Sequence, residues 1–347
     1  MIVKPTTYYK SDGFNNGLQL HAAIDLVKEF FQNELARALN LCKVQSPLFL
    51  TKGEGVNDDL NGVEEPVSFK TRALPESEIE VIMSLAKWKR LILSAYKVLP
   101  GHGIYTIMHA IRQSEFPLDN LHSIYVDQWD WEMVINSGDR NLNYLKKIVT
   151  KIYDVFLRLE LLVHKNYAFI KPWLPPEIKF IHAEEALDRY PQLSAQDREK
   201  ALAEEYGAIF IVGIGNTLKN GLPHDNRAPD YDDWTAATSS RFKGLNGDII
   251  LWNPVLKNSI EISSMGIRVD KTALLKQLDI TNTAYRKALY FHQSLLNDKL
   301  PLTIGGGIGQ SRVCMQFLQR VHIGEVQVSV WSSEDVEQCK TCGIKLL

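Results

Sequence analysis

The chain has 347 residues, 45% hydrophobic and 23% charged, which supplies enough apolar material for a substantial core and is ordinary for a globular protein. Its 39 basic and 41 acidic residues give a net charge of −2, so no long-range attraction to nucleic-acid phosphate is indicated. The opening Met1-Ile2-Val3-Lys4-Pro5 lacks a signal-peptide pattern, and no uninterrupted run of about 18 apolar residues offers a membrane span. Only four cysteines occur, too few for a disulfide scaffold, which points to a reducing, cytoplasmic setting.

An amphipathic helix is expected over residues 18–39, because Leu20, Ile24, Val27, Phe31, Leu35 and Leu39 recur at steps of three or four. Residues 44–50 read as an extended segment, and residues 53–62, rich in Gly, Asn and Asp, as a surface loop. Short strands are expected at 66–74, 79–83, 104–112 and 121–130; their short separations favour antiparallel pairing. A long helix over 141–165 buries Leu145, Ile148, Val149, Ile152, Val155, Phe156 and Leu159, and the prolines at 172–176 break it off. Residues 179–215 read as strand, helix, helix, strand, and further strands are expected at 248–253 and 259–269. The last helix starts after the glycine run 305–309. The sum is an α+β fold: an antiparallel sheet flanked by helices, in one catalytic domain over 1–347 with an inserted α/β segment near 140–215. Cys339 and Cys342 form a C-x-x-C, but no second pair completes a four-ligand zinc site, so they read as a chance pair in a mobile tail.

Five constellations carry chemistry. Gly305-Gly306-Gly307-Ile308-Gly309-Gln310-Ser311-Arg312 reads as a glycine-rich turn opening a helix, whose N–H groups favour an anion. Arg312 in the first turn could reach phosphate or an adenine ring. No Gly-Lys-Ser/Thr follows, so this is not a Walker loop. Arg112 ends an apolar strand. Between Leu121 and Glu132, alternation places His122, Gln128 and Asp130 on one face, where they either meet water or line a pocket; Asp127, Trp129 and Trp131 on the other face read as structural. The loop Arg227-Ala228-Pro229-Asp230-Tyr231-Asp232-Asp233-Trp234 sets acids between aromatics, as in a site that closes on something. Asp248 and Glu261 each open a strand and together suit Mg²⁺, while Arg268 could pair a substrate carboxylate. Neither G-x-S-x-G nor H-E-x-x-H is present, which removes the usual hydrolase and zincin readings.

Arg112 on a strand with Arg312 after a glycine run resembles motifs two and three of class II aminoacyl-tRNA synthetases, where both arginines bind ATP. The strings at 53–62, 84–90, 122–132, 227–234, 244–249, 261–270 and 303–312 resemble, in order, the ammonia-dependent A-type asparagine synthetases, or aspartate–ammonia ligases. The resemblance implies a class II synthetase-like fold, a homodimer, and use of ATP, Mg²⁺, L-aspartate and ammonia without nucleic acid. It implies that Arg112 and Arg312 hold the ATP phosphates, that His122, Ser123 and Gly307 lie at the nucleotide, and that Asp248 and Glu261 are metal-side acids. Ser84, Lys89, Asp130, Asp232, Ser264 and Arg268 are then the aspartate side. Asp58 and Gln128, with Asp232, surround the carboxyl end that ammonia attacks. Family members often carry Thr-Gln-Asp-Asn where this chain has Val56-Asn57-Asp58-Asp59. A glutamine-dependent synthetase needs a cysteine just after the initiator Met; Ile2 stands there, so free ammonia is the expected donor. An RNA-charging relative would want a separate basic domain, and a regulatory paralogue would not keep Arg112, Gln128, Asp248, Glu261 and Arg312 together.

Overall fold

Residues 13–14, 17–58, 60 and 64–347 are described by a computed structural model. The N-terminal Met1–Pro5 stretch, with Ile2, and the loop positions Asp59, Asn61 and Gly62 lie outside the described residues. In chain order the elements are α1 (Gly17–Leu39), β1 (Leu41–Lys43), β2 (Phe49–Thr51), β3 (Ser68–Lys70), β4 (Glu78–Val81), α2 (Ala86–Ala95), β5 (Gly103–Ile111) and β6 (Tyr125–Val134). Then follow α3 (Leu142–Asn166), β7 (Lys179–His182), α4 (Ala183–Arg189), α5 (Ala195–Tyr206), β8 (Ala208–Val212), β9 (Asn246–Asn253) and β10 (Asn258–Ile267). The chain closes with α6 (Lys271–Ile280), α7 (Tyr290–Leu296), β11 (Thr303–Gly309), α8 (Gln310–Phe317) and α9 (Ser333–Thr341).

Eight strands form the main sheet in the order β1-β5-β6-β11-β10-β9-β8-β7. The pairs at its two ends, β1 with β5 and β7 with β8, are parallel. Every pair between them is antiparallel. The α+β expectation therefore stands, with parallel pairing added at both edges. A small antiparallel sheet, β2-β4-β3, lies apart. The apolar stripes of α1 and α3 close one face of the main sheet. Phe31 of α1 stacks on Phe156 of α3 at 4.9 Å and meets Trp129 of β6 at 4.6 Å. Trp129 and Trp131 are fully buried in that layer, so by alternation Gln128, Asp130 and Glu132 face the opposite side. This geometry is what leaves the second face for a site.

Several expectations are corrected. β6 starts at Tyr125, four residues after the expected 121, because Asp119 takes up the backbone N–H groups of Leu121 (2.7 Å) and His122 (3.0 Å) in a turn. The glycine run is a central strand, not a turn. A Cβ at Gly305 would collide with the Glu132 carboxylate and one at Gly307 with the Gln128 carboxamide, while one at Gly306 would stand 2.6 Å from the Ser264 carbonyl oxygen. Asp248 and Glu261 sit inside β9 and β10 and do not open them. The last helix is α9, not α8. It carries Cys339, which is buried in the main core beside Ile344, so the C-x-x-C belongs to packed structure. Burial pushes the Cys339 thiol up to about 11, which keeps it protonated and inert. No helix among the described residues is long and apolar enough to cross a membrane.

Candidate active site

A cleft of about 380 Å³ opens on the polar face of β6, β11 and β10. Every residue to which the family resemblance gives a role lines it except Lys89 and Asp248: Asp58, Ser84, Arg112, His122, Ser123, Gln128, Asp130, Asp232, Glu261, Ser264, Gly307, Arg268 and Arg312. Lys89 is fully buried beneath the floor, donating to the Asp130 carboxylate and to the Trp131 carbonyl at 2.9 Å. Asp248 is buried behind the wall, opposite Ser264 across the β9–β10 ladder.

Two arginines enter from different elements. Arg112 follows β5 directly and donates through Nη1 to the Met83 carbonyl at 2.6 Å. Burial lowers its pKa from the ordinary arginine value, against the pull of Glu64, Asp58 and Glu115. Arg312 lies in the first turn of α8, anchored through Nη1 to the Glu261 carbonyl at 3.0 Å. That turn is itself fixed by Asp127 of β6, whose Oδ1 accepts from Ser311 N (2.9 Å) and Ser311 Oγ (2.6 Å), while Lys28 of α1 donates to Oδ2 at 3.0 Å. Thus Asp127 is structural, as alternation suggested, yet it also reaches the rim of the cleft.

The floor is a buried charge network. The Arg268 fork is bidentate on Glu132, with Nε 3.0 Å from Oε1 and Nη2 2.8 Å from Oε2, and its Nη1 donates to Asp232 at 2.5 Å. Burial alone would raise the Glu132 carboxyl; Arg268 and Lys89 outweigh it and hold the group below its ordinary value. Asp232 goes the other way, raised by burial against the opposing charge of Arg268. Asp58 is placed by its neighbour Asn57. The Asn57 side chain donates to the Val81 carbonyl at 3.1 Å and accepts from Met83 N at 2.9 Å, tying the loop to the end of β4.

The remaining expected residues sit at the mouth. His122 Nδ1 is 2.8 Å from Asp119 Oδ1, and Ser123 Oγ is 2.8 Å from Ser329 Oγ. Behind Glu261, burial and the Glu261 charge raise the Asp248 carboxyl well above its ordinary value, with Arg227 opposing. Glu64, Glu115, Asp225, Arg227, Tyr231 and Gln327 also line the cleft, with no role expected from the sequence. Arg227 and Tyr231 stood in a motif already marked. Gln327, which donates to Ser311 Oγ at 3.0 Å, had no signal at all, since only the fold brings it there.

A sequence model of the aspartate–ammonia ligase family matches residues 18–343. An aspartate–ammonia ligase of Bacteroides fragilis is 54% identical over 329 residues, 95% of each chain. One of Parabacteroides distasonis is 49% identical over 346 residues, covering 100% of this chain and 99% of its own. Among solved structures, asparaginyl-tRNA synthetase from Pyrococcus horikoshii complexed with asparaginyl-adenylate matches 89% of this chain and 68% of its own with a TM-score of 0.66 at 18% identity. That likeness is one of fold, the class II synthetase fold. This chain spans about two thirds of the length of the synthetases it matches.

Proposed function

Because the chain belongs to the aspartate–ammonia ligase family, we propose that the cleft is where that family's reaction runs. The enzyme uses ATP to ligate ammonia to the side-chain carboxylate of L-aspartate through a β-aspartyl-AMP intermediate, giving L-asparagine, AMP and diphosphate. A carboxylate is a poor electrophile; adenylation removes its charge and provides AMP as leaving group.

In this reading Arg112 and Arg312 grip phosphate oxygens and stabilise the charge that develops as diphosphate departs. His122, Ser123 and Gly307 border the nucleotide. Mg²⁺ fits Asp248 and Glu261, since it takes one or two carboxylates and keeps phosphate and water as its other ligands. Asp248 Oδ1 is buried with no hydrogen-bond partner, which leaves an acceptor that a cation can take. When bound, the ion would neutralise phosphate charge.

On the aspartate side, Ser84, Ser264 and Arg268 suit a carboxylate, and Asp130 and Asp232 suit the ammonium. Lys89 acts from beneath, through Asp130. Asp58 and Gln128 flank the activated carbonyl. Asp58 attracts ammonium and takes a proton from it, so that the nitrogen lone pair attacks the carbonyl carbon and AMP leaves. The chain works as one catalytic unit, as a cytoplasmic homodimer without a nucleic-acid partner, a reading supported by its family and its balanced charge.

The observation that carries the proposal is the convergence of Arg112 and Arg312, distant in sequence, on one cleft with Asp58 and Gln128. Its test is Arg112→Ala. We expect aspartate-dependent ATP–diphosphate exchange to disappear while the fold is retained by circular dichroism. Exchange at the wild-type rate would remove Arg112 from the activation step.

A further inference from the structure

Arg227 has no task in the reaction as drawn, yet it sits on one of its acids. Its Nη2 lies 2.5 Å from Asp248 Oδ2 and its Nη1 3.1 Å from Asp225 Oδ2. The seat is built. Gly215, at φ +98°, leaves room for it; a Cβ there would approach both the Arg227 side chain and the Trp234 ring to 3.0 Å. The following residue is pinned by Ala228 N donating to the Leu60 carbonyl at 3.0 Å. The guanidinium therefore hangs from a fixed backbone and faces the cleft.

Asp248 Oδ2, in such close contact with a guanidinium, has little left to offer a second cation, and a metal at the unpartnered Oδ1 has to come in against the charge of Arg227. Asp248 is buried, and leaving its ionised form unpaired is costly, so the carboxylate needs a positive charge beside it. We propose that Arg227 is a placeholder cation: it balances Asp248 until a divalent metal arrives with the nucleotide, and the two exchange. A nucleotide phosphate can take over the displaced guanidinium through charge-assisted hydrogen bonds. A metal arriving alone brings no such partner and has to evict Arg227 without compensation. The free enzyme accordingly binds divalent cations weakly and takes them as the nucleotide complex. This inference rests on the assignment of Asp248 and Glu261 as metal-side acids.

The test is Mn²⁺ binding to the full-length enzyme without nucleotide, followed by the paramagnetic resonance signal of free Mn²⁺. Removing the competing charge should improve binding: Arg227→Gln is expected to bind Mn²⁺ about tenfold more tightly than wild type, the scale on which close charge pairs couple. Arg227→Ala serves as a second charge-removing variant in the same titration, and Arg227→Lys, which keeps the charge, should stay near wild type. The gain should vanish when Arg227→Gln is combined with Asp248→Asn. Folded Arg227→Gln and Arg227→Ala proteins that bind Mn²⁺ no better than wild type overturn the placeholder role, as does a gain that survives Asp248→Asn. The premise is checked separately with Mn²⁺–ATP. If Asp248→Asn binds that complex as tightly as wild type, the metal-side assignment fails and the placeholder fails with it. If Asp248→Asn loses affinity while the Arg227 variants gain none, only the placeholder fails.

Discussion

β11 threads three consecutive glycines, Gly305, Gly306 and Gly307, between β6 and β10, and each would meet a different obstacle if it gained a methyl group. At Gly307 the obstacle is the end of a flexible side chain: the methyl would overlap the Gln128 carboxamide oxygen and stand 2.8 Å from Cδ and 3.3 Å from Nε2. At Gly306 it is strand backbone, the Ser264 carbonyl oxygen at 2.6 Å and Cα of Met265 at 3.0 Å. A carboxamide can rotate away and a central strand cannot. Gly307→Ala should therefore keep the fold at an overpacking cost of about 1–3 kcal/mol. At about 2 °C per kcal/mol for a large domain, the melting temperature should fall by about 2–6 °C. To clear van der Waals contact, the carboxamide has to move by roughly 1 Å, and a misplacement of that size costs about a hundredfold in rate. We expect kcat for asparagine formation to drop about a hundredfold in a protein whose circular dichroism is native. Gly306→Ala should lose its fold or melt well below Gly307→Ala. The assays are steady-state asparagine production and thermal unfolding on the two variants side by side. A wild-type kcat in Gly307→Ala would refute the placement of Gln128 at the reacting centre, and equal melting of the two variants would refute the backbone argument.

Arg268→Ala strips the guanidinium from Glu132 and Asp232, which are both essentially inaccessible to solvent, with Lys89 still 3.7 Å from Glu132. Breaking such a buried pair should cost about 3–5 kcal/mol in urea unfolding, and a loss below about 1 kcal/mol would show that the network is not what holds the floor. His322 tests the pH dependence. Burial lowers it from 6.5 to about 4, against opposing pulls from Asp119 and Asp335, and its Nδ1 accepts from Gly324 N at 3.0 Å. A pKa depressed in the fold means stability that is fully present above pH 6.5 and lost as pH falls through about 4. His322→Asn should flatten the stability curve across that window; an unchanged slope in chemical denaturation would contradict it.

What could be read in advance follows from where apolar residues repeat. Helices α1 and α3 carry long stripes whose members are nearly all buried as the repeat demands. Helix α2 was invisible for the opposite reason. It buries Lys87, Lys89 and Arg90, so its inward face looks like a solvated one. Those charges are tolerated because partners arrive from distant strands and loops: Asp230 at 3.0 Å from Lys87, Asp130 beside Lys89, and the Pro301 and Val269 carbonyls at 2.8 Å from Arg90. The glycine strand departs from the turn its residues suggest on similar grounds. Glycine has no preference for strand, and this one exists because side chains from β6 and the chain of β10 occupy the volume where its own side chains would be. The site divides the same way. Residue types and family strings identified Arg268 and Asp248 as polar groups with work to do, but their pairing with Glu132 and Arg227 depends on which strands and loops the fold brings together. Alternation on β6 links the two levels. Trp129 and Trp131 commit one face to the helices, which forces Gln128, Asp130 and Glu132 onto the other and makes β11 glycine-rich to admit them. A polar cleft over a central strand is thus a consequence of the core packing beneath it, and the arginines that reach it from β5 and α8 find carboxylates already in place.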